Sequence, residues 1–271
     1  MRYISVLVFI LISTSIMAQD FERPLDGVYS KKEIKQSEIT DYSPLREADA
    51  LWKRRIWRVI DLNEKMNLPF TWPKSKLIDV VMDAVANGEL TAYDADVDDE
   101  FSKPLTAEDV ASIGRFTKEL QVMNPVTNQM ETETVTEEFN RDEVIKYWLK
   151  EEWFFDKQRS IFECRIIGIA PIYNVLSEEG VLIGEKELFW IYFPEARNTF
   201  IHAEVFNRFN DAKRLSYDDL FIKRLFSSTI FKVANVYDRR VEDYKTGLDA
   251  LYEAEAIKAD IFNYEHDLWE F

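Results

Sequence analysis

Apolar residues recur at intervals of three and four through residues 45–62, where Leu51, Trp52, Ile56, Val59 and Ile60 share one face of a helical projection. The spacing predicts a helix there, ended or turned by Asn63 and by Asn67-Leu68-Pro69. A second helix is predicted over residues 74–86, with Leu77, Ile78, Val81, Met82 and Val85 inward and Asn87-Gly88 as its C-terminal cap. Leu90-Thr91-Ala92-Tyr93 reads as a short strand and residues 94–100 as an acidic loop. Thr106 with Asp109 is a capping-box start for a further short helix. Residues 121–140 hold Pro125, many Thr and Glu and little hydrophobic periodicity, which marks them as the boundary between two halves.

The second half is predicted to open with a helix over residues 141–155 that ends in the aromatic cluster Trp153-Phe154-Phe155. Residues 160–173 set Phe162, Cys164 and Ile166 against Glu163 and Arg165, a strand that becomes fully apolar towards Ile167, Ile169 and Ile172. Residues 188–193 form a second strand, reached through residues 177–184. Ser216 followed by Asp218 and Asp219 starts a helix carrying Leu220, Phe221, Leu225 and Phe226, and a last helix over 248–262 precedes Tyr264, Trp269 and Phe271. The fold class is therefore α+β, with two small mixed units at 45–125 and 141–271 and a linker at 126–140. Each half runs from an arginine-bearing aromatic segment through a Gly-Glu connection into a strand, then to an acid-capped helix after Leu105-Thr106 or Leu215-Ser216. That order suggests a diverged duplication.

The chain begins with Met1-Arg2, an apolar run from Ile4 to Ile12 and a small-residue exit at Ser15-Ile16-Met17-Ala18. Residues 1–18 are expected to be a secretory signal peptide, since the run is short for a membrane span and acidic and polar residues follow it. No lipidation cysteine follows, because the only cysteine is Cys164, whose place in an apolar alternation suits a buried thiol. Residues 19–44 are polar and aperiodic and read as an extended arm, either disordered or laid along a neighbouring protein.

A net charge of −16 opposes adhesion to nucleic acid or to an anionic membrane surface, while 19 Phe, 12 Tyr and 7 Trp supply aromatic cores. No Gly-rich phosphate loop, Gly-x-Ser-x-Gly elbow or His-Glu-x-x-His pair is present. His202 and His266 stand far apart in the chain and read as structural. Asp94-x-Asp96-x-Asp98 begins like a calcium loop, yet Asp99 holds the place of the turn glycine and Leu105 that of the bidentate Glu. Asp218 and Asp219 suit capping better than paired catalysis. No cofactor or metal is expected.

The informative chemistry is Trp52-Lys53-Arg54-Arg55-Ile56-Trp57-Arg58, a basic and aromatic string in an acidic chain, and a similar mixture at Trp153-Phe154-Phe155-Asp156-Lys157-Gln158-Arg159. Arginine forks and aromatic faces suit a protein contact surface, although bridges to the chain's own acids account for them equally well.

These strings resemble the GldN/PorN family of gliding motility and type IX secretion proteins. Also matching are Gly88-Glu89-Leu90-Thr91-Ala92-Tyr93-Asp94, Phe193-Pro194-Glu195-Ala196-Arg197, Glu204-Val205-Phe206-Asn207-Arg208, Asn235-Val236-Tyr237-Asp238-Arg239-Arg240-Val241-Glu242-Asp243-Tyr244 and Ile261-Phe262-Asn263-Tyr264-Glu265-His266-Asp267-Leu268-Trp269. Asn198-Thr199-Phe200 and Phe209 depart from the pattern. The resemblance implies a non-enzymatic periplasmic subunit in a ring-shaped assembly with the outer-membrane lipoprotein GldK/PorK and further copies of itself. It also implies a place near the inner-membrane motor subunits GldL and GldM, with no insertion of its own into a membrane. Trp52, Arg54, Arg55, Trp57, Arg58, Trp153, Phe154, Arg159, Arg197, Arg208, Arg239 and Arg240 are the candidate interface residues. The opposing readings are a secreted hydrolase, which needs opposed carboxylates in a pocket, and a calcium-dependent binding module.

Overall fold

The computed structural model describes residues 28, 34–113, 116–123, 130–137, 139–176, 182–208, 210 and 212–267. The leader expected at 1–18, most of the arm, residues 177–181 of the predicted connection, Phe209, Trp269 and Phe271 lie outside them. In chain order the regular elements are β1 (Ala50–Asp61), α1 (Leu77–Ala86), β2 (Ala92–Tyr93), β3 (Pro104–Leu105), α2 (Ala107–Ser112), β4 (Phe116–Met123), β5 (Met130–Glu137), β6 (Val144–Asp156), β7 (Ile161–Leu176), β8 (Leu182–Glu187), β9 (Trp190–Tyr192), α3 (Phe193–Phe200), β10 (Glu204–Val205), β11 (Leu215–Ser216), α4 (Tyr217–Ile222), β12 (Thr229–Val233) and α5 (Leu248–Asp267).

Residues 45–62 and 141–155, predicted as helices, are the long central strands β1 and β6, paired antiparallel from Ala50↔Asp156 to Asp61↔Lys146. The helical spacing misled because an interval of four is also two strand periods. Trp52, Ile56 and Ile60 fall on one face of β1, while Trp57 and Val59 join a cluster on the other. Leu51, expected inward, is 61% exposed. In β6 both faces are covered, so Val144, Tyr147, Trp148 and Leu149 are all buried and the sequence shows a run instead of an alternation.

Eight strands form one sheet in the order β12-β1-β6-β7-β9-β2-β3, with β8 paired to β7. The sheet draws strands from both sides of residues 121–140, so that segment does not separate two sheets. Within the linker expected at 126–140 lies β5, which pairs with the preceding β4 from Phe116↔Glu137 to Met123↔Met130. The β5 sequence Met130-Glu131-Thr132-Glu133-Thr134-Val135-Thr136-Glu137 is built mainly of Glu and β-branched residues, a strand composition that carries little hydrophobic signal. The duplication is not seen in the element order. Residues 46–115 run from one long strand into α1, whereas 141–225 place β6, β7, β8 and β9 before the first helix.

One face of the sheet packs against α1, α3 and α4 around Phe70, Leu77, Val81, Tyr147, Leu149, Ile169, Phe193, Phe200 and Phe221. α1 and its cap agree with prediction: Gly88 takes φ +73° and donates to Val85 O at 3.0 Å, although Met82 is only partly buried. α2 has the full capping box, with Asp109 N donating to Thr106 Oγ1 at 3.2 Å and Thr106 N to Asp109 Oδ2 at 3.0 Å. Ser216 caps α4 as expected, but that helix ends at Ile222 and leaves Leu225 and Phe226 beyond it.

The opposite face holds Trp57, Trp148, Ala170, Ile172 and Trp190, covered by Ala95 of the acidic loop and by Tyr93 and Phe101 on either side of that loop. Gly168 lets Phe101 seat closely there, since a Cβ would lie 2.7 Å from Phe101 Cζ and displace the ring. A third cluster clamps α5 through Ala254, Ile257 and Ile261 onto Ile56, Ile230, Trp52 and Phe162.

Candidate interaction surface

As a strand, β1 sends alternate members of the Trp52 to Arg58 string to opposite faces. Trp52 stacks on Tyr264 of α5 at 4.6 Å. Arg58 is buried and its Nε donates to Glu151 Oε2 at 3.0 Å. On the other face Lys53 and Arg55 share Glu152 at 3.0 and 2.9 Å, and Trp57 Nε1 donates to Asp99 at 2.7 Å. Burial works against the charge of Glu152, yet these two cations hold its carboxyl below the ordinary value. The Arg54 side chain, half-buried, makes no ion pair or hydrogen bond with a described residue.

The second string is likewise committed within the fold. Trp153 Nε1 donates to Glu151 at 3.3 Å, Phe154 is buried beneath the Arg165 guanidinium at 4.9 Å, and Arg159 bridges Asp156 and Glu163 at 3.1 and 2.9 Å. Cys164 packs beside this network, 3.6 Å from Glu151 and 3.4 Å from Arg224, and burial followed by the Glu151 charge pushes its thiol well above the usual range. Arg208 Nη1 donates to Lys65 O at 2.8 Å.

Arg197 is buried in a two-pronged pair with Asp218 at 2.8 and 3.1 Å, and its Nη1 donates to Thr40 O at 2.9 Å. Tyr42 lies between Arg197 and Arg165, at 4.6 and 5.0 Å, and Arg165 also donates to Ser43 O at 2.7 Å. Burial, with Arg197 opposing it, pushes the Tyr42 hydroxyl up to about 12. Of the expected arm, residues 34–44 are thus tied to α3 and β7, and His202 Nδ1 sits 3.1 Å from Ile34 O.

The acids of the calcium-like loop are spoken for by the protein itself. Asp94 pairs with Lys103 at 2.8 Å, Asp96 with Lys186 at 3.0 Å, and Asp98 accepts from Glu100 N at 2.9 Å. Buried Lys150 donates to Asp99 O at 2.6 Å, which docks the loop on the sheet. Among the described residues no group of three or more His, Cys, Asp or Glu is arranged to hold a metal.

Arg239 and Arg240 belong to a surface turn braced by the side chain of Asn235. The Asn235 amide donates to Val233 O and Arg239 O, both at 2.8 Å, while its Oδ1 accepts from Tyr237 N and Arg239 N, both at 3.1 Å. Asp238, at φ +51°, pairs with Lys232 at 2.7 Å. Arg240 lies over Trp148 at 4.6 Å, whereas Arg239 stacks on Tyr237 at 4.4 Å in solvent. The clamp presents Val236 and Tyr237 at 97% and 74% exposure.

Val241 buries with Ala254 and Ile257, so this turn adjoins the first half of α5, whose Leu248, Leu251 and Tyr252 are also exposed. Sequence reasoning missed those three. Their signal was present in a helix with apolar residues on two faces, only one of which the fold covers. A fixed turn with Tyr and Arg at its tip beside apolar helix positions is the surface best suited to a protein partner.

No curated protein matches the chain at a significant level. The family model described as gliding motility associated protein GldN matches residues 45–270, so the chain belongs to the GldN family.

Proposed function

We propose that the protein is a periplasmic structural subunit of the type IX secretion and gliding motility machinery. It joins further copies of itself and the outer-membrane lipoprotein GldK/PorK in a ring, close to the motor subunits GldL and GldM. The family match over residues 45–270 carries this reading. No helix among the described residues is long and apolar enough to cross a membrane. One feature of the molecule supports the reading. The clamped turn and the outer side of α5 supply a preformed contact surface whose ordering cost is already met in the free subunit. In this role the subunit contributes geometry, and the motor contributes energy.

Co-expression of residues 19–271 with the lipoprotein tests the reading. The expected product is a large closed particle containing both chains, seen by light scattering and electron microscopy. A stable monomer that ignores the lipoprotein would overturn it. Tyr237→Ala combined with Arg239→Glu is expected to weaken assembly about tenfold or more, the effect of losing a Tyr and Arg contact centre, with the thermal unfolding of the isolated subunit unchanged.

A further inference from the structure

A groove of about 600 Å³ runs between α5 and the sheet, with Arg58, Trp153 and Arg224 at its floor and Phe226, Ile261 and Phe262 along its walls. Its size falls within the range of small-ligand sites. The floor is built around one carboxylate and two guanidinium groups. Glu151 is fully buried between Arg58 at 3.0 Å and Arg224 at 2.9 Å. The Arg224 contact to Oε1 is a charge pairing without an aimed N–H, so that oxygen accepts no hydrogen bond. Arg58, itself nine-tenths buried, spends only its Nε on Glu151, and its two Nη groups have no partner among the described residues.

Arg224 reaches this position at a cost. It adopts φ +52°, a left-handed backbone that a non-glycine residue takes only when its surroundings enforce it. The guanidinium is then held between the rings of Trp153 and Phe226, at 5.5 and 5.4 Å. Two guanidinium groups against one carboxylate leave the floor positive against aromatic walls, while Glu255 and Glu265, set against Lys258, offset that charge at the mouth. At the mouth Lys258 pairs with Glu255 at 3.4 Å, and Glu265, Ser227 and Ser228 add polar groups.

The geometry points to a binding site for an acidic peptide segment, in which a Glu or Asp carboxylate meets the free Nη groups of Arg58 and a neighbouring aromatic side chain lies against Phe226 and Phe262. Guanidinium forks match a carboxylate in shape and charge. The polar mouth selects a peptide over a plain acyl chain, because Glu265, Ser227 and Ser228 give hydrogen-bond partners to peptide amides and leave a hydrocarbon tail wet. The site lies apart from the Asn235 turn and does not rest on the assembly reading.

The isolated subunit is titrated with acetyl-Phe-Glu-Phe-amide, with the same peptide carrying Gln for Glu, and with decanoate, read by tryptophan fluorescence and calorimetry. The Glu peptide is expected to bind with a dissociation constant of about 0.1–1 mM and the Gln peptide about tenfold more weakly, the loss of a charge-assisted hydrogen bond. Phe262 is 65% exposed, so Phe262→Ser keeps the fold and is expected to weaken the Glu peptide about fivefold through lost apolar contact. Arg224→Gln is expected to abolish the preference for Glu over Gln. Equal binding of the two peptides, binding by decanoate alone, no binding at all, or an unchanged affinity in Phe262→Ser would each overturn the assignment.

Discussion

Arg197 shows how a residue chosen for a surface role serves inside the fold. Its fork fills both oxygens of Asp218 and still reaches Thr40 O, so one side chain joins α3, α4 and the residues before β1. Removing one partner of a buried pair leaves the other charge stranded. Arg197→Ala should therefore lower unfolding stability by about 3–5 kcal/mol in denaturant titration, and it should expose residues 37–46 to protease. Glu152 makes a prediction in pH. Its folded value is lowered, so its contribution is complete above the ordinary value of 4.5 and is lost as pH falls through the lowered value. Thermal unfolding followed from pH 6 downward should show a loss of stability below about 4.5 that Glu152→Gln reduces, while at pH 7 the variant is the less stable protein.

At the scale of elements, the local signals that a few neighbouring residues settle were legible. The capping box of Thr106 and Asp109 needs only three residues, and it forms as written. Thr106→Ala should cost about 1 kcal/mol and lower amide-exchange protection in α2 more than elsewhere. The same holds for α1, whose one-sided apolar stripe and Gly88 stop agree with each other. β1 and β6 were misread for a physical reason: Ile56, Trp57, Val59 and Ile60 are β-branched or aromatic, and between them they pack into three clusters on the two faces of the sheet. A strand covered on both faces has no polar side with which to declare its period.

For the whole molecule, the sheet order makes β6 the hub, with β1 and β7 as its neighbours. Backbone amides in the middle of β1, β6 and β7 are paired on both sides and covered by side chains, so hydrogen exchange should be slowest there, close to the global unfolding limit. The edge strands β3 and β12 should exchange faster. The reverse order would contradict the central place of β6. The candidate surface follows from the same arrangement. With its Ala254, Ile257 and Ile261 side buried against Ile56 and Ile230, α5 can turn Leu248, Leu251 and Tyr252 only outward.

The family resemblance, the α+β class, the acidic surface, the helix caps and the core role of the aromatic residues were properties of the sequence by itself, because each depends on composition or on a few adjacent positions. Only the tertiary structure decided that residues 45–62 and 141–155 are partners in one sheet, and that most of the arginines prized as surface groups answer to the chain's own acids. Glu151 and Arg58 are 93 residues apart, and Arg197 and Thr40 157 apart. A pairing over such distances is set by strand register and packing, which no local pattern of side chains encodes.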